Sequence, residues 1–138
     1  MYFFFYGTLQ NVNVRHMAAG FYAADLEFIS DGVLKGFSAY DLGRYPAIIP
    51  AVEKAGVAPH VSGLIYKAGT HAEKILRELD KFEGPQYNRF ELPITGNDGK
   101  LYLCQCYVFK YDISDMPQYP KIPNGQNWLD YEALRHAN

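Results

Sequence analysis

Among the residues of this chain, Glu83 is the best placed to move a proton. It closes a stretch, residues 72–83, in which Ala72, Ile75, Leu76, Leu79 and Phe82 recur at helical spacing. At about 100° per residue, these five share one side of a helix. Glu83 is the only charged residue aimed toward that side; Glu73, Lys74, Arg77, Glu78, Asp80 and Lys81 point elsewhere. A carboxylate turned toward a core must be paired, held in a cleft, or used. Glu83 also lies in the last helical turn, where the helix dipole and partial burial both disfavour the ionised form. Both raise its pKa toward what a general base near neutral pH needs. The competing reading is that the helix end frays, so that Glu83 reaches solvent or pairs with Arg89.

A second candidate is Tyr6-Gly7-Thr8-Leu9, at the end of an aromatic run. Ligands often lie just beyond strand ends. Gly7 permits a tight turn and a close backbone approach. Successive N–H groups in such a turn can form a nest for an anion such as a carboxylate. An ordinary strand-ending turn would carry the same residues. Other groups carry less. Cys104 and Cys106 alternate along one strand face, with no second pair and no nearby His, and read as core. His16, His60, His71 and His136 show no ligand spacing, and no nucleophile elbow, P-loop or dinucleotide fingerprint is present.

The elements that position these residues follow from pattern and punctuation. Residues 2–6 read as a strand buried on both faces, and residues 8–16 as an irregular loop leading into a short helical turn. Strand-like stretches over 26–42 are broken by Asp31-Gly32 and Gly36, and strands follow at 47–49 and 61–67. The 72–83 helix takes Thr70 as N-cap with Glu73 as its capping-box partner, and Gly84-Pro85 stops it. A hairpin pairs 87–95 with 101–109 around Asn97-Asp98-Gly99. The proline-rich tail wraps the surface, anchored by Trp128. Strands outnumber helices without a regular βα repeat, which predicts an α+β fold.

The 138 residues suit a single domain, 1–138, able to bury a core without staples. With 12 Tyr and 9 Phe, an aromatic β-core is expected, and a ring-lined pocket is compatible with it. Net charge is −2 with dispersed Lys and Arg, which argues against nucleic-acid binding. Two cysteines make no secreted disulfide framework, and no segment reads as a signal peptide or membrane span. A cytoplasmic protein is the expectation.

Taken in order, several motifs resemble those of the γ-glutamylcyclotransferase-like superfamily. These are Tyr6-Gly7-Thr8-Leu9, Tyr45-Pro46-Ala47, Gly63-Leu64-Ile65-Tyr66, Leu79 to Gly84, Tyr87-Asn88-Arg89, and Ile122, Gly125 and Trp128 in the tail. The set spans nearly the whole chain and looks closest to the small branch that includes γ-glutamylamine cyclotransferase. The resemblance implies a small mixed β-barrel with flanking helices and a cavity at one end. It implies Glu83 as catalytic acid/base, and Tyr6, Gly7, Thr8, Leu9, Tyr87 and Arg89 as substrate-binding residues. It implies a small-molecule γ-glutamyl amide as substrate, 5-oxoproline and an amine as products, and neither metal nor cofactor. Hydrolysis or acyl transfer at the same site, or simple binding of a small carboxylate, are the alternatives.

Overall fold

The computed structural model describes residues 1–137. Its strands are β1 (Tyr2–Phe5), β2 (Leu26–Lys35), β3 (Phe37–Asp41), β4 (Pro46–Pro50), β5 (His60–Ala68), β6 (Tyr87–Gly96) and β7 (Leu101–Phe109). Its helices are α1 (Val12–Ala19), α2 (Ala72–Glu83) and α3 (Trp128–Arg135). Five strands form a closed barrel in the order β1-β5-β2-β6-β7, while β3 and β4 make a separate two-stranded sheet. This is the α+β barrel with flanking helices that the motif order implied.

The aromatic run of β1 is buried on both faces, as its unbroken apolar pattern predicts. Phe3 and Phe5 face a core built with α1 and α2, beside Leu9, Ile75, Leu79 and Tyr107. Phe4 and Tyr6 join Leu34, Ile65, Ile94, Cys104 and Cys106 in a second core. The two cysteines are therefore packing groups, and burial pushes the Cys104 thiol up to about 12. β1 closes the barrel by pairing antiparallel with β5 and parallel with β7, the latter through Tyr2↔Cys104 and Phe3↔Gln105.

Several local expectations give way. Residues 8–16 hold more helix than expected: a 3-10 turn, Thr8–Gln10, leads directly into α1. Asn11 caps α1, its side chain accepting from Asn13 N at 2.8 Å and Val14 N at 3.3 Å. Arg15, unreadable as a core residue from its type, is 8% exposed and donates to the carbonyls of Leu9 and Gln10. Asp31-Gly32 does not break β2. The strand runs through with an irregularity between Phe28 and Ser30, and Gly32 lets Ile94 and Ile65 lie against its backbone. Phe82, expected on the buried stripe, is 42% exposed.

The start of α2 also differs. The helix follows His71, and no side chain of the expected Thr70–Glu73 capping box closes it. Asp25, at the end of the 3-10 segment Gly20–Asp25, instead holds the chain just ahead of the helix, accepting from Gly69 N and His71 N at 2.9 Å each. These are not the Thr70 and Glu73 N–H groups that a capping box closes. The Asp25→Ala variant should therefore lose about 1 kcal/mol of stability, as an N-cap deletion does. Thr70→Ala should be nearly neutral in the same urea titration; equal losses would return the cap to Thr70.

Candidate active site

At the end of β1 the chain turns at Gly7 and enters the 3-10 turn. The N–H groups of Gly7, Thr8 and Leu9 precede that turn's first internal bond, Gln10 N to Gly7 O at 3.1 Å. Among the described residues none of the three finds a protein acceptor. Gly7, Thr8 and Leu9 line a small cavity of about 30 Å³, together with Phe4, Phe5, Tyr6, Tyr45, Pro46, Glu83, Tyr87 and Tyr107. The structure thus brings Tyr6, Gly7, Thr8, Leu9, Tyr87 and Glu83 together from three separate stretches of chain.

Packing requires a glycine at position 7. A Cβ there would sit 2.9 Å and 3.0 Å from the ring carbons Cγ and Cδ of Pro46. The close approach presses the β1 loop against the start of β4, and Tyr87 fixes the same proline by donating to its carbonyl at 3.2 Å.

Glu83 is brought in by α2, whose Ile75, Leu76 and Leu79 are buried against β1 and β7. Gly84, at φ 82°, ends the helix immediately after it, so Glu83 stays on the core side. Among the described residues its carboxylate has no ion-pair or hydrogen-bond partner. The surrounding tyrosines explain why. Tyr6 donates its proton to the Tyr107 carbonyl at 2.6 Å, Tyr87 to Pro46, and Tyr107 to Asp80 Oδ1 at 2.7 Å. Three phenols surround the carboxylate, and each proton is committed elsewhere. Desolvation therefore acts unopposed and raises Glu83 from 4.5 to about 7. Burial first, and the Glu83 charge second, push Tyr6 and Tyr87 upward. Tyr107 is also raised, chiefly by burial and its bond to Asp80.

Arg89 is the departure. The resemblance placed it among the substrate-binding residues, but it lies outside this cavity's lining. Its guanidinium binds Asp80 at 2.9 Å and Gln105 at 2.7 Å. Asp80, which helical periodicity turned away from the core, holds both Arg89 and Tyr107 and so claims the guanidinium. Arg89 pairing with Glu83 is likewise not seen. Pattern reading missed Tyr107, Tyr45 and Pro46 as cavity walls. Tyr107 carried no local signal, since it meets Tyr6 across 101 residues of chain.

A larger groove of about 1100 Å³ lies beside β3, β4 and the tail, without sharing a lining residue with this cavity. It mixes Lys54, Lys110 and Lys121 with Asp112 and Asp115, so its charge favours no single ligand class.

A family model described as γ-glutamyl cyclotransferase, AIG2-like, matches residues 3–130. The chain belongs to that family. Solved structures agree in fold. An AIG2-like protein of Mus musculus is 23% identical, with TM-score 0.64 over 91% of this chain and 87% of that one. The Escherichia coli protein ytfP is 21% identical, with TM-score 0.59 over 96% of this chain and 99% of that one. A structure described as a γ-glutamyl cyclotransferase is 16% identical, with TM-score 0.62 over 90% and 70%. No curated protein sequence matches the chain. No helix among the described residues is long and apolar enough to cross a membrane.

Two measurements check this geometry. With a folded-state pKa of about 7 against 4.5 unfolded, Glu83 contributes stability that is complete below pH 4.5 and is lost as pH rises through 7. Glu83→Gln should thus match the wild type near pH 4.5 and exceed it at pH 9, by on the order of 3 kcal/mol. A variant no more stable at pH 9 would mean that the carboxylate is solvated. Gly7→Ala should lose about 1–3 kcal/mol by overpacking against Pro46, read from the urea midpoint.

Proposed function

We propose that this protein cyclises the γ-glutamyl group of a γ-glutamyl amide to 5-oxoproline and releases an amine, with Glu83 as the acid/base. The observation that carries this reading is an unpaired, desolvated carboxylate beside three unfilled backbone donors. Family membership supports the reaction class.

The N–H groups of Gly7, Thr8 and Leu9 hold the substrate's α-carboxylate, which orients the α-amine toward the γ-carbonyl carbon. The nucleophile is already tethered, so positioning supplies much of the acceleration. The α-amine is mostly protonated at neutral pH, with a pKa near or somewhat above 8. Ionised Glu83 takes its proton. The amine nitrogen bonds to the γ-carbon and a five-membered ring closes. Glu83 passes the first proton to the departing nitrogen and then the second, which the ring nitrogen gives up, so the amide C–N bond breaks, the amine leaves as its ammonium and the carboxylate ends as it began. A base with a pKa near 7 suits both transfers.

The phenols have a different part. Tyr6, Tyr87 and Tyr107 already spend their protons on protein acceptors. They shape an apolar enclosure that keeps Glu83 basic, and the developing oxyanion falls to a backbone N–H. Arg89 takes no direct part; it braces Asp80 and through it Tyr107. Tyr45, 43% exposed, forms the outer lip past which the amine portion extends.

The test is to incubate the protein with γ-glutamyl amino acids, γ-glutamyl amines and γ-glutamyl-ε-lysine, and to quantify 5-oxoproline by mass spectrometry. Wild type should form it, with kcat/KM falling as pH drops below about 7. Glu83→Gln should lose at least about 10²-fold. Glutamate in place of 5-oxoproline would make the protein a hydrolase. Ligand bound and recovered unchanged would make it a binding protein.

A further inference from the structure

We propose that Arg135, acting through Asp41, is a positioning residue that holds the Tyr45-Pro46 wall closed over Glu83. Its kinetic arm rests on the reading of Glu83 given above; its structural arm does not.

The wall is a short loop between β3 and β4. Asp41 ends β3 at 5% exposure, and Pro46 begins β4. A buried aspartate at a strand end needs partners. One carboxylate oxygen accepts from Gly43 N at 2.7 Å. The other accepts from the Tyr131 hydroxyl at 3.0 Å and from the Arg135 guanidinium. Arg135 also donates to the Gly43 carbonyl at 2.6 Å. It therefore grips both Asp41 and the loop that follows. Leu42 N closes that loop onto the Tyr45 carbonyl at 3.1 Å. Burial pushes the Asp41 carboxyl up, but hydrogen bonds from Arg135, Gly43 and Tyr131 outweigh it and leave it below the usual range.

α3 is itself anchored. Trp128 is 1% exposed, and the Arg135 guanidinium lies 5.6 Å from its ring centre and 6.0 Å from that of Tyr131. α3 also packs on the Thr8–Gln10 turn, where Asn127 donates to the Gln10 side chain at 2.5 Å. One helix thus braces both sides of the cavity: the anion-binding turn and the Tyr45-Pro46 wall.

The groups facing Glu83 are Tyr6 just after β1, Tyr87 from β6, Tyr107 and Cys106 from β7, and Tyr45 from the wall. Asp80, one turn back on α2, is held by Arg89 and Tyr107. This arrangement gives the test a decisive sign. Deleting the Arg135 cation, or freeing the Asp41 anion, can only raise the Glu83 pKa by charge. Admitting water past a loosened wall lowers it.

The experiment is a ¹³C NMR titration of the Glu83 side-chain carboxyl in the wild type, Arg135→Ala, Arg135→Lys and Leu134→Ala, alongside kcat and KM. Leu134, on the same helix and 67% exposed, controls for disturbance of α3. Arg135→Ala should move the midpoint down from about 7 by at least about one pH unit. It should lower kcat about ten-fold or more, since misplaced walls loosen the reactive geometry. Arg135→Lys should recover most of both, and Leu134→Ala should change neither. A folded Arg135→Ala whose Glu83 midpoint stays put or rises overturns the proposal. If the wild type forms no 5-oxoproline, the proposed reaction fails while the titration still decides the positioning role. Should Arg135→Ala not fold, Tyr131→Phe removes one bond to Asp41. A smaller downward shift then supports the wall, and no shift overturns it.

Discussion

A half-buried carboxylate without a counter-charge is the constraint around which this molecule is arranged. Desolvating an acid is unfavourable, and proteins ordinarily relieve it with a cation or several N–H donors. Here relief is withheld. The nearby guanidinium is kept by Asp80, and the three neighbouring phenols direct their protons to Tyr107 O, Pro46 O and Asp80. Each of those bonds tightens the framework while leaving Glu83 unassisted. A site poised near neutrality therefore costs the fold some stability at high pH, which the two aromatic-rich cores offset.

The barrel supplies rigidity where the site needs it. β1 is fixed on one edge by β5 and on the other by β7, so the turn that follows it has a defined origin. The start of β4 is pressed on that turn by the Gly7–Pro46 approach, and α2 delivers Glu83 from the opposite side. No single element holds the site. Its precision comes from β1, β4, α2, β6 and β7 meeting over one small space.

Much of this was legible in the sequence, for identifiable reasons. The double-sided burial of β1 follows from an unbroken aromatic run. The β6–β7 hairpin follows from Asn97-Asp98-Gly99, and the inward turn of Glu83 from helical periodicity. The ordered motifs gave the family. What stayed hidden was long-range. Asp25 holding the start of α2, Asp41 gripped by Arg135, and Tyr107 behind Tyr6 join residues 44 to 101 positions apart, and no local pattern encodes them. The Thr70–Glu73 box does not form, and the distant Asp25 holds the chain at Gly69 and His71 in its place. For Arg89 a motif gives neighbourhood, whereas direction depends on which acid competes for the guanidinium, and here that acid is Asp80.

The parallel closure of β1 on β7 bears on how the molecule acquires its shape. Tyr2 must find Cys104, and Phe3 must find Gln105, across nearly the whole barrel sequence. Pairings of such separation form slowly, because loop-closure entropy is spent before contacts reward it. During synthesis β1 emerges first and β7 long afterwards, with α3 later still. The first strand, with its aromatic run, therefore waits in the nascent chain with an unfilled edge, a state prone to sticking. The pocket comes into being only when β1 and β7 meet, so partial products of translation carry the motifs without the pocket.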